Sequence, residues 1–179
     1  MANNHGLRGS TLEAMTNLSL ERYREDGLAV IQKIPTPITP INIEQETRHI
    51  TLAYFDAKST VDYIGTVQGI PVCFDAKECA QTTFPLQNIH EHQSRFMKDF
   101  EAQDGIAFLL LMFTGLDECY YIPFRDVTRF WERAGAGGRK SFTYEEIDRS
   151  LRVRRAGEVL VHYLEGLQKD LERRQEDHG

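Results

Sequence analysis

The pattern of apolar and polar positions predicts a mixed α/β chain that begins with a helix. Residues 11–25 have the spacing of an amphipathic helix, which Ser10 or Thr11 could cap. The apolar side of this helix is expected to carry Leu12, Met15, Leu18 and Tyr23. The same spacing predicts three later helices, at residues 87–102, 124–133 and 158–176.

Stretches typical of strands lie between these helices. They are residues 28–34, 41–54, 63–68, 70–77, 106–113 and 119–123. Residues 41–54 alternate like the two arms of a projecting hairpin, and Gly69 is suited to the turn between two paired strands. Pro35, Pro37 and Pro40 exclude regular helix or a central strand just before the hairpin. We therefore expect a mixed sheet flanked by helices.

Composition indicates one domain, spanning residues 1–179, because 179 residues with 41% apolar content can bury a single continuous core. The longest apolar run, residues 106–113, is too short to cross a membrane. Residues 1–10 lack the hydrophobic stretch of a secretory signal. The three cysteines lack metal-ligand spacing, and their odd number argues against a disulfide framework. These features predict a reduced, cytoplasmic protein with no membrane partner.

The formal net charge of −6 weighs against nucleic-acid binding, because Lys and Arg normally supply that affinity by neutralising phosphates. DNA binding would depend on small basic clusters and on a cation that offsets carboxylates. The candidate clusters are Arg139 with Lys140, and Arg152 with Arg154 and Arg155. For the first cluster, a phosphate contact and a solvated loop remain alternatives.

Candidate chemistry is concentrated on the two strands that Gly69 joins. Asp75 and Lys77 are two residues apart on one strand, so their side chains leave the same face. Asp62 precedes the partner strand, close enough to join them. Carboxylate oxygens bind Mg²⁺, and the cation would relieve the repulsion between two neighbouring carboxylates. A bound metal also acidifies water and polarises a phosphate, as phosphodiester hydrolysis requires.

The spacing of these three residues is a weak signal alone, and a solvated surface hairpin would explain it equally well. Burial is the argument for a site, because the apolar residues 72–74 lead directly to Asp75. His90 and His92 are poor candidates for joint metal binding, since helix positions two apart do not share a face. Capping or packing is the simpler role for both.

Several motifs resemble, in order along the chain, the signature of the RecU Holliday junction resolvases, which are PD-(D/E)xK nucleases. They are residues 60–63, 74–78, 84–93, 102–105, 130–131 and 138–141. Residues 33–37 are similar to the start of the family's stalk, and the likeness extends from about residue 8 to residue 141. The resemblance implies a restriction-endonuclease-like mixed sheet with a stalk at about residues 35–54.

The resemblance also implies roles for individual positions. Mg²⁺, for which Mn²⁺ can substitute, is expected on Thr60, Asp62, Asp75 and Gln93. The catalytic set would be Lys77, acting on the transition state, with Asp62, Asp75 and Glu13. Apart from the resemblance, DNA contacts are expected at the basic residues Lys33, Arg48, Arg139 and Lys140.

The family acts on four-way DNA junctions as a homodimer, which supplies two sites for a two-fold symmetric substrate, and recombination proteins are expected partners. Three departures stand out: Asp75 occupies a position where the family usually has Glu, the link after Lys77 is one residue short, and the tail after Ser141 diverges. Two other functions stay open. One is a nuclease of the same fold that cuts flaps, forks or mobile-element DNA, and the other is a non-catalytic recombination partner.

Overall fold

The computed structural model describes residues 11–55 and 60–176, and its framework is a seven-stranded sheet. The strands of this sheet are β1 (Ala29–Lys33), β4 (Tyr63–Val67), β5 (Ile70–Cys79), β7 (Ile106–Phe113), β8 (Glu118–Pro123), β10 (Arg152–Ala156) and β11 (Val159–His162). They lie in the order β1-β4-β5-β7-β8-β10-β11. The β5–β7 pair is parallel and the other neighbours are antiparallel, so the predicted mixed sheet is confirmed.

Two short strand pairs and four helices complete the fold. The pairs are β2 (Ile38–Ile43) with β3 (Ile50–Phe55), and β6 (Thr83–Pro85) with β9 (Ser141–Thr143). The helices are α1 (Thr11–Glu25), α2 (Glu91–Glu101), α3 (Phe124–Gly135) and α4 (Leu164–Glu176). Within the described ranges, none of the helices has the length and apolar character needed to cross a bilayer.

The sheet curls around helix α1, so that this helix contacts both edge strands of the sheet, β1 and β11. At one end, the Ser19 hydroxyl of α1 accepts a hydrogen bond from the Val161 N–H of β11 at 2.9 Å. Stacked aromatic rings fill the space between α1 and the sheet, with 4.7 Å between the ring centres of Phe74 and Phe108. Helices α2 and α3 cover the opposite face with a second apolar core. The central strands β5, β7 and β8 are therefore largely buried on both faces.

A two-residue turn sets the register of the strands β4 and β5. Gln68 and Gly69 both have positive φ, at 47° and 89°, as a tight hairpin turn of this kind requires. Val67 consequently pairs with Ile70, and the pairing continues to Tyr63 opposite Phe74. The turn expected at Gly69 is confirmed.

The predicted hairpin is present as the separate pair β2–β3, although it begins at Ile38 rather than residue 41. Pro40 is tolerated within β2 because a two-stranded sheet has only edge strands. The hairpin leaves large apolar side chains exposed: Ile38, Ile41, Ile43, Ile50, Leu52, Tyr54 and Phe55. This apolar surface distinguishes it from the rest of the molecule.

Several predicted helix details are wrong. Helix α2 begins at Glu91, because residues 86–88 form a separate 3-10 turn, and α4 begins at Leu164, because Val159–His162 is a strand. Leu18, assigned to the apolar side of α1, is 57% exposed, and small polar residues are buried instead. Thr11 is the first helical residue, while the alternative cap Ser10 lies outside the described residues.

Candidate active site

Main-chain hydrogen bonds orient the carboxylates of Asp62 and Asp75 where strands β4 and β5 meet. One step beyond the Tyr63–Phe74 pair, the register puts Asp62 opposite Asp75. The Asp62 N–H donates to Asp75 Oδ1 at 2.8 Å, and the Ala76 N–H donates to Asp62 Oδ2 at 3.0 Å. Each carboxylate is thus oriented by the backbone of the opposite strand, and the two converge as the sequence predicted.

Asp75 is fully buried, and one of its oxygens is left for another ligand. Its Oδ2 atom accepts no hydrogen bond, and the Lys77 ammonium lies 3.5 Å from it. Burial, reinforced by the charge of Asp62, raises the pKa of Asp75 to about 6, although Lys77 opposes the shift. A cation at Oδ2 would favour the charged carboxylate.

Asp62 is half-buried, and its pKa is also raised. Desolvation is the main cause, and the carboxylate of Glu13 adds to it, while Lys77 and Lys33 act in the opposite direction. Two carboxylates that both resist ionisation need a positive partner. The ammonium of Lys77 supplies part of that charge.

Gln93 of α2 joins the site through Lys77. The buried Gln93 amide oxygen accepts hydrogen bonds from the Lys77 ammonium at 3.3 Å and from the His90 N–H at 3.1 Å. The same amide therefore orients the lysine and satisfies the backbone at the start of α2. His90 lies just before the helix, and its ring stacks on that of His92 with 5.4 Å between the ring centres.

Glu13 and Lys33 form an ion pair at the edge of the site. Lys33 is opposite Tyr63 in the β1–β4 register, so the pair lies beside Asp62. The Ile34 N–H, at the base of the β2–β3 hairpin, donates to the Asp62 carbonyl at 2.8 Å. The predicted support residue Glu13 and the predicted DNA contact Lys33 thus neutralise each other in this structure.

The remaining expected residues are spread more widely. Thr60 is exposed two residues before Asp62, and Arg48 lies near the exposed tip of the hairpin with φ of 57°. Arg139 forms an ion pair with Glu146 at 3.0 Å, whereas Lys140 is exposed. None of these four positions is joined to the two aspartates by a hydrogen bond or ion pair in the structure.

The donor set suits a hard cation. Asp62 and Asp75 present carboxylate oxygens, and the buried Oδ2 of Asp75 has no hydrogen-bond donor. Oxygen ligands and a few retained waters are the usual environment of Mg²⁺. Within residues 11–55 and 60–176, no three His, Cys, Asp or Glu side chains cluster as a metal site.

The sequence pattern does not single out Glu78 for a role of its own. Its Oε1 atom accepts the Leu12 N–H at the start of α1 at 2.6 Å. The partners are 66 positions apart in the chain, so spacing gives no signal for this contact. The contact is visible only in the folded structure, in which β5 lies next to the start of α1.

A curled mixed sheet in which two aspartates and a lysine converge where β4 and β5 meet is typical of nucleases of the PD-(D/E)xK class. The chain belongs to the RecU family: the family model described as Recombination protein U matches residues 7–169. It is 43% identical over 150 residues to the Holliday junction resolvase RecU of Geobacillus sp. (strain WCH70), covering 82% of this chain and 75% of that protein. The protein of the same name from Staphylococcus carnosus (strain TM300) is 46% identical over 147 residues, covering 80% of this chain and 71% of its own. The resemblance seen in the sequence is confirmed.

Proposed function

We propose that this chain is a structure-selective endonuclease that resolves Holliday junctions by Mg²⁺-dependent hydrolysis of phosphodiester bonds. The observation that carries the proposal is the convergence of the Asp62 and Asp75 carboxylates, each oriented by a main-chain N–H, beside the Lys77 ammonium. The names and identities of the relatives support the same substrate.

The residues of the site divide the chemistry among them. Asp62 and Asp75 would hold Mg²⁺, and Thr60 and Gln93 would complete its ligand shell directly or through water. Mn²⁺ could take the place of Mg²⁺ at this site. The cation, when bound, supplies an acidified water and neutralises charge on the phosphate. Lys77 orients the attacking water or stabilises the charge that develops on the phosphate oxygens. Glu13 supports the site beside Asp62.

The β2–β3 hairpin is suited to contact the open centre of a four-way junction. Its exposed apolar side chains face solvent, and its base is hydrogen-bonded to Asp62 through the Ile34 N–H. A homodimer would place two such sites on the two-fold symmetric junction and make paired cuts. Contacts with other recombination proteins and a cytoplasmic location belong to the same proposal.

Cleavage of defined DNA substrates tests this function. The purified protein with Mg²⁺ or Mn²⁺ is expected to nick a mobile four-way junction in symmetric pairs and to leave duplex largely intact. Asp75→Asn is expected to bind the junction without cutting it. Preferred cleavage of flaps or forks would assign another substrate, and no cleavage with either metal would support a non-catalytic role.

A further inference from the structure

Glu78 connects the strand that carries Asp75 and Lys77 to the first helix. It follows Lys77 directly on β5, so its side chain leaves the opposite face of the sheet, toward α1. It therefore lies outside the face on which the metal site is built. Any effect of Glu78 on that site must act through another residue.

Glu78 supplies an acceptor for a main-chain N–H at the start of helix α1. The Leu12 N–H is among the first four N–H groups of the helix, which have no acceptor within it. A carboxylate is favoured at a helix N-terminus by the helix dipole, and a charged acceptor shortens the hydrogen bond, here to 2.6 Å. The buried Leu12 side chain anchors the same turn in the core.

Glu13 follows Leu12 directly, and its position depends on that turn. It pairs with Lys33, which stands opposite Tyr63 next to Asp62. We propose that Glu78 is a positioning residue for the metal site: its bond to Leu12 fixes the start of α1 and thereby holds Glu13 beside Asp62. The inference rests on the proposed function, because it takes the Asp62–Asp75 pair to be the metal site.

Metal binding without DNA tests this role separately from cleavage. The dissociation constant of Mn²⁺ is measured by calorimetry for the full chain, for Glu78→Ala and for Glu78→Gln. Loss of an outer residue that orients a metal site commonly weakens affinity by about tenfold or more, so Glu78→Ala is expected to weaken Mn²⁺ binding about tenfold. Glu78→Gln keeps an oxygen acceptor for the Leu12 N–H and is expected to stay within about twofold of the parent.

Two controls separate positioning from general destabilisation. Glu21→Ala removes an exposed carboxylate from the same helix and should leave Mn²⁺ affinity unchanged. In a Glu13→Gln background, Glu78→Ala should cause less than about a twofold further loss, because residues that act through one another are not additive. If Glu78→Ala does not fold, Glu78→Asp is used in its place, because its shorter side chain withdraws the carboxylate from Leu12. Glu78→Asp is expected to weaken Mn²⁺ binding about tenfold in the parent background and less than about twofold further in the Glu13→Gln background.

Equal weakening in both backgrounds, or no weakening by Glu78→Ala, overturns the positioning role. If the parent chain binds Mn²⁺ and cuts junctions while Glu78→Ala behaves like it, only this inference fails. If the parent chain binds no Mn²⁺ or Mg²⁺, the proposed function fails as well.

Discussion

Asp62, just before β4, and Asp75 of β5 are joined by main-chain hydrogen bonds: the Asp62 N–H donates to the Asp75 carboxylate, and the Ala76 N–H donates to the Asp62 carboxylate. The two-residue turn at Gln68 and Gly69 sets this pairing. A slip of one residue would send one of the aspartates to the other face of the sheet. The arrangement of the site therefore depends on the register of a single hairpin.

Replacing Asp75 by Asn is expected to change how stability depends on pH in metal-free protein. The folded-state pKa of about 6 lies above the ordinary value of 3.8, so the folded state binds the proton more tightly than the unfolded state. Stability from this group is present below pH 4 and is lost as pH rises through 6, by an amount on the order of 3 kcal/mol. In thermal unfolding from pH 4 to pH 7, the melting temperature of Asp75→Asn relative to that of the parent should rise with pH. If the difference in melting temperature between the two proteins stays constant over this pH range, the raised pKa of Asp75 is contradicted.

Lys77→Ala is expected to lower junction cleavage by about 100-fold or more, since electrostatic stabilisation of a transition state is commonly worth that much. The dissociation constant for the junction should change little, because the ammonium lies between Asp75 and Gln93 inside the site. Single-turnover cleavage and gel-shift binding measure the two quantities separately. Lys98→Ala, which removes an exposed lysine from α2, is the control and should leave both unchanged.

Gln93→Ala is expected to reduce cleavage less than Lys77→Ala, by about tenfold, because it removes an orienting contact rather than the charge itself. It also leaves the His90 N–H without its acceptor, so the melting temperature should fall by a few degrees. Gln93→Glu keeps the acceptor and should recover most of the lost stability. Full activity in Gln93→Ala would show that Lys77 needs no support from α2.

Lys140 and Arg139 are expected to differ as DNA contacts. Arg139 is already paired with Glu146, whereas Lys140 is exposed. Lys140→Ala should weaken junction binding and reduce the salt dependence of binding by about one unit of slope, as loss of one phosphate contact does. Arg139→Ala should have a smaller effect on that slope. Binding titrations at several salt concentrations measure both.

The exposed hairpin gives a prediction about substrate choice. Changing Ile41 and Leu52 together to Ser is expected to weaken junction binding about tenfold or more while duplex binding changes little, because the hairpin is proposed to enter the junction centre. These side chains are more than half exposed, so the melting temperature should stay near that of the parent. An equal loss for junction and duplex would count against a role in recognising the branch point.

Much of the site could be predicted because it is local in sequence. Alternating strands and a tight turn bring Asp62, Asp75 and Lys77 together with no information from distant parts of the chain. The pairings of Glu13 with Lys33 and of Glu78 with Leu12 could not be predicted, since they depend on where α1 packs. The metal-ligand roles of Thr60, Asp62, Asp75 and Gln93 and the catalytic roles of Lys77 and Glu13 stay predictions.

The errors in the fold come from segments in which local pattern and tertiary packing disagree. Strand β10 carries charged residues around one buried valine, Val153, and has no clear alternation. The spacing of Leu160 with the leucines of α4 predicts helix where strand β11 lies, and the positive φ of Gly157 marks the turn before this strand. Sheet partners on both sides of β10 determine the strand structure there.

The bond between Ser19 and Val161 joins positions 142 residues apart. Closure of the curled sheet around α1 therefore waits until β11 has been synthesised, and long-range closure of this kind is slow. A nascent chain that carries both aspartates and Lys77 still lacks β11, one of the strands against which its first helix packs. A chain that ends before β11 is therefore expected to bind α1 less tightly, because the contacts between this helix and β11 are missing.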